Sequence, residues 1–102
     1  MGDDGAVIEI LTFALADGAD EAAFVGADAR VQAEFAYRQP GLVRRTTARA
    51  DDGRWAVVTL WASADDAESA VITGDSDPAV RAWAALVDPS TRRRERYTPL
   101  PG

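Results

Sequence analysis

The 102-residue sequence contains no cysteine, no histidine, no asparagine and no lysine. Without cysteine, the chain has no disulfide, no thiolate metal ligand and no thiol nucleophile. Without histidine, it lacks the most common general base, the most common metal ligand and the usual axial ligand of haem. Without lysine, Schiff-base catalysis is excluded. All eleven positively charged side chains are therefore arginines.

The chain also lacks a positive net charge and a long hydrophobic run. Its net charge of −6 opposes binding to a phosphate backbone, so we expect no nucleic-acid partner. No apolar run is long enough to cross a bilayer, and the start, MGDDGA, does not resemble a secretory signal. We therefore expect no membrane association and a cytoplasmic location. The length and the 47% hydrophobic content predict one domain over residues 1–102, with flexible tails at 1–5 and 99–102.

The sequence pattern predicts the element order strand, helix, strand, strand, helix, strand. Four segments have strand patterns: 6–15, 42–50, 54–63 and 91–100. Asp20 is placed to cap a first helix that runs from Glu21 to about Tyr37. Ser63 is placed to cap a second helix, which GDSDP interrupts and Pro78 restarts. This order is that of an α+β, ferredoxin-like βαββαβ fold, with a four-stranded antiparallel sheet and two helices on one face.

The segment RWAVVTLWAS at 54–63 is apolar on both of its faces. Side chains of a strand alternate between the two faces of the sheet. One face therefore carries Trp55, Val57, Thr59 and Trp61, and the other carries Ala56, Val58 and Leu60. A half-buried antiparallel strand normally has one polar face. Since two helices cover only one face, we expect a homodimer that packs sheet against sheet into an α/β barrel, burying Val58, Leu60, Ile8 and Ile10.

An extended first strand, a helix ending in QPGLV, a hairpin and a strand ending in LWAS before an acidic helix start make up most of the chain. This arrangement, over roughly residues 6–98, resembles the dimeric α/β-barrel superfamily and within it the antibiotic-biosynthesis monooxygenase-like group. The resemblance implies a cofactor-free enzyme with a cleft between sheet and helices, which binds a planar aromatic metabolite. An asparagine and a second-helix tyrosine of the family pattern have no counterpart here.

The resemblance and the residue pattern together give three candidate catalytic residues: Glu9, Trp61 and Arg81. Trp61 matches the tryptophan of the family's third strand and either stacks on a ligand or fills the core. Arg81 lies on the second helix and either neutralises a phenolate or carboxylate or pairs with a nearby aspartate. No cofactor and no metal are expected.

Glu9 is the one charged residue in an otherwise apolar first strand. On the helix side of the sheet it either accepts a proton from a substrate or pairs with an arginine such as Arg44 or Arg94. Aromatic residues of the first strand and both helices are predicted to line the cleft: Phe13, Phe35, Tyr37 and Trp83. Two functions follow as alternatives, a monooxygenase-like enzyme or a non-catalytic small-molecule-binding or structural dimer.

Overall fold

The computed structural model describes residues 5–101, which form a four-stranded antiparallel sheet with helices packed on one face. The main elements follow the chain in this order: β1 (Val7–Phe13), α1 (Glu21–Glu34), β2 (Leu42–Arg49), β3 (Trp55–Trp61), α2 (Ala64–Gly74), α3 (Pro78–Ala84) and β4 (Arg93–Tyr97). Short 3₁₀ turns precede β2 and β4, at Ala36–Arg38 and Pro89–Thr91. The predicted ferredoxin-like α+β fold is confirmed, with its second helix divided into α2 and α3.

The strands are arranged in the order β2-β3-β1-β4, and every neighbouring pair is antiparallel. β1 and β3 occupy the centre, so both have hydrogen-bonded neighbours on either side. β2 and β3 are joined by the predicted hairpin, in which Gly53 adopts a positive φ of 90° that favours glycine. No helix within residues 5–101 has the length and apolar character needed to cross a membrane.

The first two helices, α1 and α2, begin after the residues whose side chains are predicted to cap them. The Asp20 carboxylate accepts a hydrogen bond from the Ala23 amide, and the Ser63 hydroxyl accepts one from the Asp66 amide, both at 3.1 Å. Pro78 occupies the first turn of α3, where its missing N–H costs nothing. The first helix ends at Glu34, three residues before its predicted end, and a 3₁₀ turn takes its place.

The centre of the core is a cluster of four aromatic side chains: Phe13, Phe24, Trp55 and Trp83. Their ring centroids lie 4.8–5.6 Å apart in tilted or edge-to-face arrangements. Phe13 and Phe24 are 1% and 0% exposed, so nothing but protein surrounds them. The cluster fixes α1 and α3 against one end of the sheet and leaves the other end to a smaller apolar group around Trp61.

The two faces of β3 differ as its alternation predicts. Trp55, Val57, Thr59 and Trp61 are buried under the helices. On the opposite face Val58 is 38% exposed in the single chain, and Ile8, Ile10 and Leu60 are half-buried. This open face has no covering layer within residues 5–101, and the homodimer stays a prediction.

The predicted tails are only in part within the described structure. Residues 1–4 and 102 lie outside the described residues, whereas residues 99–101 have no regular secondary structure. The last strand is shorter than predicted and ends at Tyr97.

Candidate functional site

A cavity of about 480 Å³ lies between the sheet and the helices. This volume falls within the range of about 300–1,000 Å³ that is typical of small-molecule sites. Its apolar walls come from strands and helices alike: Leu11, Phe35, Val57, Trp61, Val80 and Trp83. On the α2 side the wall is formed by small residues such as Ala67 and Ala70, which are buried.

A row of four polar side chains lies at one register of the sheet, and three of the four line the cavity. Arg45 of β2 lies opposite Thr59 of β3, Thr59 lies opposite Glu9 of β1, and Glu9 lies opposite Arg96 of β4. The first three are 7–9% exposed and are the buried polar or charged residues of the described chain. Buried polar groups are costly unless paired, so a whole row of them at a cavity is a feature expected of a binding site.

Glu9 is held in this row by arginines of β4. Its Oε2 atom accepts a hydrogen bond from Nε of Arg96 at 2.9 Å and lies 3.8 Å from Nε of Arg94. Arg96 also donates to Glu68 of α2 at 2.6 Å. Burial by itself lowers the pKa of Arg96, but hydrogen bonds to Glu68 and Glu9 outweigh it, so the pKa is raised above its ordinary value. The predicted pairing of Glu9 with Arg94 is present as the longer contact.

The arginine predicted as an alternative partner of Glu9, Arg44, lies elsewhere. It is opposite Leu60 on the open face of the sheet, whereas Glu9 faces the helices. The other carboxylate oxygen of Glu9, Oε1, makes no hydrogen bond within residues 5–101. Since the side chain is 12% exposed and lines the cavity, Oε1 is the acceptor that Glu9 offers to a ligand.

Arg45, at the other end of the row, is fixed by a buried ion pair with α1. Its Nη2 lies 2.7 Å from Oδ1 of Asp28, and its Nη1 donates to Gln32 at 3.1 Å. Asp28 also accepts a hydrogen bond from the indole Nε1 of Trp83 at 3.0 Å. The network ties β2, α1 and α3 together and neutralises the charge of Arg45, so this arginine orients one wall of the cavity.

Trp61 is 6% exposed and lines the cavity beside the polar row. Its indole Nε1 is buried without a hydrogen-bond partner in the described part of the chain. Most buried donors are paired, because an unpaired one loses its hydrogen bonds to water. Trp61 therefore combines a flat apolar surface with a donor that the protein itself leaves unsatisfied.

The structure brings four of the predicted site residues to the cavity and leaves three outside it. Glu9, Trp61, Phe35 and Trp83 line the cavity. Arg81 is exposed on α3 and is not among the lining residues, because it is two residues from the buried Trp83 and so points about 200° away around the helix. Its predicted contact with a ligand there is thus not supported by its position.

The other two residues outside the cavity are Phe13 and Tyr37, and their predicted lining role is corrected. Phe13 belongs to the aromatic core. Tyr37 is 49% exposed, and its hydroxyl accepts a hydrogen bond from the Arg45 amide at 3.0 Å. Its position after α1 makes it a link to β2, because the 3₁₀ turn directs it toward the strand edge.

Sequence reasoning did not predict five of the polar or charged lining residues as part of the site: Arg45, Thr59, Asp75, Arg92 and Arg94. Alternation in β3 places Thr59 on the same face as Trp61, so that signal was present. The positions of the arginines depend on which strands pair and in which register, and the printed sequence does not contain that information directly.

No protein-family model and no curated protein match the sequence, but solved structures match the fold. SnoaB from Streptomyces nogalater, described as a cofactor-independent oxygenase, superposes with a TM-score of 0.75 at 25% identity over 96% of each chain. The fold of this chain is therefore similar to that of the antibiotic-biosynthesis monooxygenase-like proteins. A candidate antibiotic biosynthesis monooxygenase from Bordetella bronchiseptica gives a TM-score of 0.78 at 17% identity, covering 94% of this chain and 98% of that one.

A second candidate antibiotic biosynthesis monooxygenase, from Nitrosomonas europaea, gives a TM-score of 0.70 at 20% identity and covers 95% of this chain and 92% of its own. Since each of these proteins is matched over nearly its full length, the likeness of fold extends over the whole domain. The resemblance carried by QPGLV and LWAS is thereby confirmed at the level of fold.

Proposed function

We propose that this monooxygenase-like protein is a homodimeric, cofactor-independent oxygenase that acts on a planar aromatic phenol. The observation that carries the proposal is the cavity of about 480 Å³, whose aromatic and aliphatic walls enclose a buried polar row. The likeness to SnoaB supports the reaction class, since SnoaB is described as a cofactor-independent oxygenase.

The chemistry of the cavity fits a flat, hydroxylated ring system. Trp61 and Trp83 supply planar surfaces on which an aromatic ring can stack. Oε1 of Glu9 accepts the proton of a substrate hydroxyl, while Arg96 holds the other carboxylate oxygen in place. The Thr59 hydroxyl, which lines the cavity, is a donor for the resulting oxyanion.

The proposed reaction needs no external reductant, because the substrate supplies the electrons. A phenol with an unsubstituted para carbon gives up the hydrogen of its O–H and the hydrogen of that C–H. One oxygen atom of O₂ forms the new carbonyl, and the other leaves with the two hydrogens as water. The phenol and O₂ thus yield a quinone and water. Removal of the hydroxyl proton makes the ring more electron-rich and so promotes electron transfer to O₂.

Dimerisation belongs to the same proposal. Val58, Leu60, Ile8 and Ile10 form a continuous apolar patch at the centre of the open face of the sheet. A second copy packed on that face would bury the patch, and its apolar character supports such packing. The cavity lies on the other side of the sheet, so each subunit would keep its own site.

Oxygen uptake with 1-naphthol tests the proposed activity. We expect uptake of one O₂ for each 1,4-naphthoquinone formed, with no added cofactor. Glu9→Gln removes the proton acceptor and should lower the turnover number by about 10²–10⁴-fold. Glu34→Gln is the matched control, since it makes the same chemical change at an exposed position of α1. No uptake across hydroxylated naphthalenes and anthracenes, or equal turnover of Glu9→Gln and the wild type, would refute the proposed mechanism.

A non-catalytic ligand-binding protein is the second candidate, and one observation favours it. Glu9 is engaged by Arg96 at 2.9 Å, and Arg81 lies outside the cavity, so the predicted catalytic set is not assembled as a group. Tight binding of naphthols without oxygen uptake would establish this second function.

A further inference from the structure

The cavity opens to solvent between the start of β4 and the end of α2. Arg92, which precedes β4, and Arg94 within it line the cavity and are exposed. Asp75, which follows α2, also lines the cavity and is exposed. Arg92, Arg94 and Asp75 therefore border the cavity mouth, the opening through which a small molecule would enter.

Two rows of opposite charge flank the cavity mouth. Alternate residues of a strand share a face, so arginines at positions 92, 94 and 96 form the row on the β4 side. On the α2 side, Glu68 and Asp75 are seven residues apart, which is about two helical turns, and so they share a face. Together with the carboxylate of the first strand, the charges balance at three of each sign: Arg92, Arg94, Arg96, Glu9, Glu68 and Asp75.

The two rows are joined at one end only. Arg96 donates to Glu68 at 2.6 Å, beside the cavity, whereas Asp75 and Arg92 lie at the mouth, at the other end of each row. Asp75 is about 10 Å from Glu68 along the helix axis. Arg92 is about 13 Å from Arg96 along the strand. Asp75 and Arg92 therefore lie at a similar distance from the joined end, on opposite sides of the mouth.

The charges at the open end are not paired with each other. Within residues 5–101, neither Asp75 nor Arg92 makes an ion pair, and Arg94 has only a 3.8 Å contact with Glu9. Asp75 is the C-cap of α2, whose last turn has no basic residue, so its carboxylate faces the negative end of the helix dipole. A carboxylate in that position is stabilised by a cation opposite, and Arg92 is the unpaired cation there.

The helix that carries Asp75 is held weakly by packing. The buried residues of α2 are Ala67, Ala70 and Gly74, whereas α1 buries Phe24 and Val31. Burial stabilises in proportion to the apolar area removed from water, so small side chains hold α2 to the sheet less strongly than the larger ones hold α1. Elements with little buried apolar contact are those that move at low cost in free energy. The end of α2 is thus the wall of the cavity that is able to move.

We propose that Asp75 and Arg92 form a gate, whose ion pairing draws the end of α2 toward β4 and closes the cavity mouth. The Arg96–Glu68 pair is the fixed end of this gate, and the structure shows the open form, in which Asp75 and Arg92 are apart. The inference rests on the proposed function in one respect, since it describes how access to the same cavity is regulated. Closure would separate a bound molecule from solvent during a reaction.

Quenching of tryptophan fluorescence by acrylamide measures how open the gate is. Trp61 and Trp83 line the cavity, so a small quencher that enters through the mouth reaches them. Acrylamide is uncharged, so the charges at the mouth do not attract or repel it. In the wild type, about 1 M sodium chloride should raise the Stern–Volmer constant, because salt screens ion pairs between exposed groups. A constant that does not change with salt would overturn the gate, and this measurement needs no variant.

A charge exchange tests the two residues directly. Asp75→Arg and Arg92→Glu each place like charges at the mouth, and either variant should raise the Stern–Volmer constant about two- to fivefold, as expected for loss of an exposed ion pair. The double variant Asp75→Arg/Arg92→Glu restores opposite charges and should return the constant to the wild-type value. Arg93→Glu is the matched control, because Arg93 is adjacent in sequence but lies opposite Thr12, on the open face of the sheet. It should leave the constant unchanged.

The outcomes separate the gate from the oxygenase proposal, because the quenching measurement needs no substrate. Wild-type quenching in both single variants would overturn the gate. Increased quenching that persists in the double variant would overturn it as well, since loosening of the fold, and not the pairing of charges, would then be the cause. An increase in Arg93→Glu would lead to the same conclusion. A gate that responds as expected in a protein without oxygenase activity would refute the proposed function alone, whereas oxygenase turnover with unaltered quenching would refute the gate alone.

Discussion

We expect the buried ion pair of Asp28 to contribute more to the free energy of unfolding than an exposed ion pair does. Substitution of Asp28 tests this prediction. Its carboxylate lies 2.7 Å from Nη2 of Arg45 and also accepts from the indole of Trp83 at 3.0 Å. The side chains of Arg45 and Asp28 are only 7% and 13% exposed, so solvent screens the pair little. Asp28→Ala leaves a buried guanidinium with one remaining side-chain acceptor, Gln32, and leaves the Trp83 N–H unpaired.

The expected loss follows from this geometry. Removing one partner of a buried ion pair costs about 3–5 kcal/mol, because the remaining charge stays desolvated. For a domain of this size, about 1 kcal/mol lowers the melting temperature by roughly 4–8 °C. Asp28→Ala should therefore lower the melting temperature by at least about 12 °C. Since the total stability of such a domain is about 5–15 kcal/mol, the variant is expected to fold but with little reserve.

Urea denaturation followed by tryptophan fluorescence measures the loss, with all variants at one protein concentration because dimerisation would couple to stability. Glu34→Ala is the control, since it breaks the Arg30–Glu34 pair, whose side chains are 48% and 53% exposed. That exposed helix pair should contribute only about 0.3–0.5 kcal/mol. A loss for Asp28→Ala as small as that for Glu34→Ala would refute the reasoning.

A double variant separates the charge from the cavity left by truncation. Asp28→Leu/Arg45→Met removes both charges and keeps apolar volume, so it should recover at least half of the stability lost in Asp28→Ala. If the double variant is as unstable as the single one, packing and the Trp83 hydrogen bond dominate, and the ion pair is not the cause.

Three further predictions concern other parts of the molecule. Val58→Asp places a charge at the centre of the open face and should convert the proposed dimer to a monomer in native mass spectrometry. If the variant remains a dimer, the interface is not on the open face. Gly41→Ala should lower the free energy of unfolding by at least about 1 kcal/mol in urea denaturation, because Gly41 has a φ of 83° and an added Cβ would collide with Asp66. An unchanged free energy of unfolding would contradict both reasons. The hydrogen bond from Tyr97 to Glu95, followed by charge repulsion, raises the pKa of Tyr97, so Glu95→Gln should lower the pH at which its phenolate absorbance appears. Because the pKa of Tyr97 is higher in the folded than in the unfolded state, this contact stabilises the fold at pH values below the unfolded pKa. The contribution is lost as the pH rises through the folded pKa. If Glu95→Gln leaves the absorbance titration of Tyr97 unchanged, Glu95 does not have this role.

Local chemistry explains why the element order could be predicted. Asp20, Ser63 and Pro78 occupy helix starts because their side chains act within one turn of chain. Alternation placed Trp61 on the helix side by the same kind of short-range rule. The end of α1 was predicted less well, since Phe35 leaves the helical conformation to pack into the core, which is a tertiary effect.

The candidate site was predicted only in part, and the successes and failures differ in their physical basis. Glu9 was identified because a charge in an apolar strand is visible locally. Its partner, Arg96, is 87 residues away in sequence and is chosen by strand register. Arg81 was misplaced because a prediction that a residue lies on a helix does not state which side of that helix packs on the sheet.

The sequence by itself determined the periodicities, the caps, the turns and the two apolar faces of β3, because each depends on neighbours within a few residues. Its composition also removed cysteine, histidine and lysine chemistry from consideration. Only the tertiary structure decided that Arg45, Thr59, Glu9 and Arg96 form one row and that Arg92 and Arg94 border the cavity. The physical reason is that strand order and register are set by packing over the whole domain, and no local segment specifies them alone.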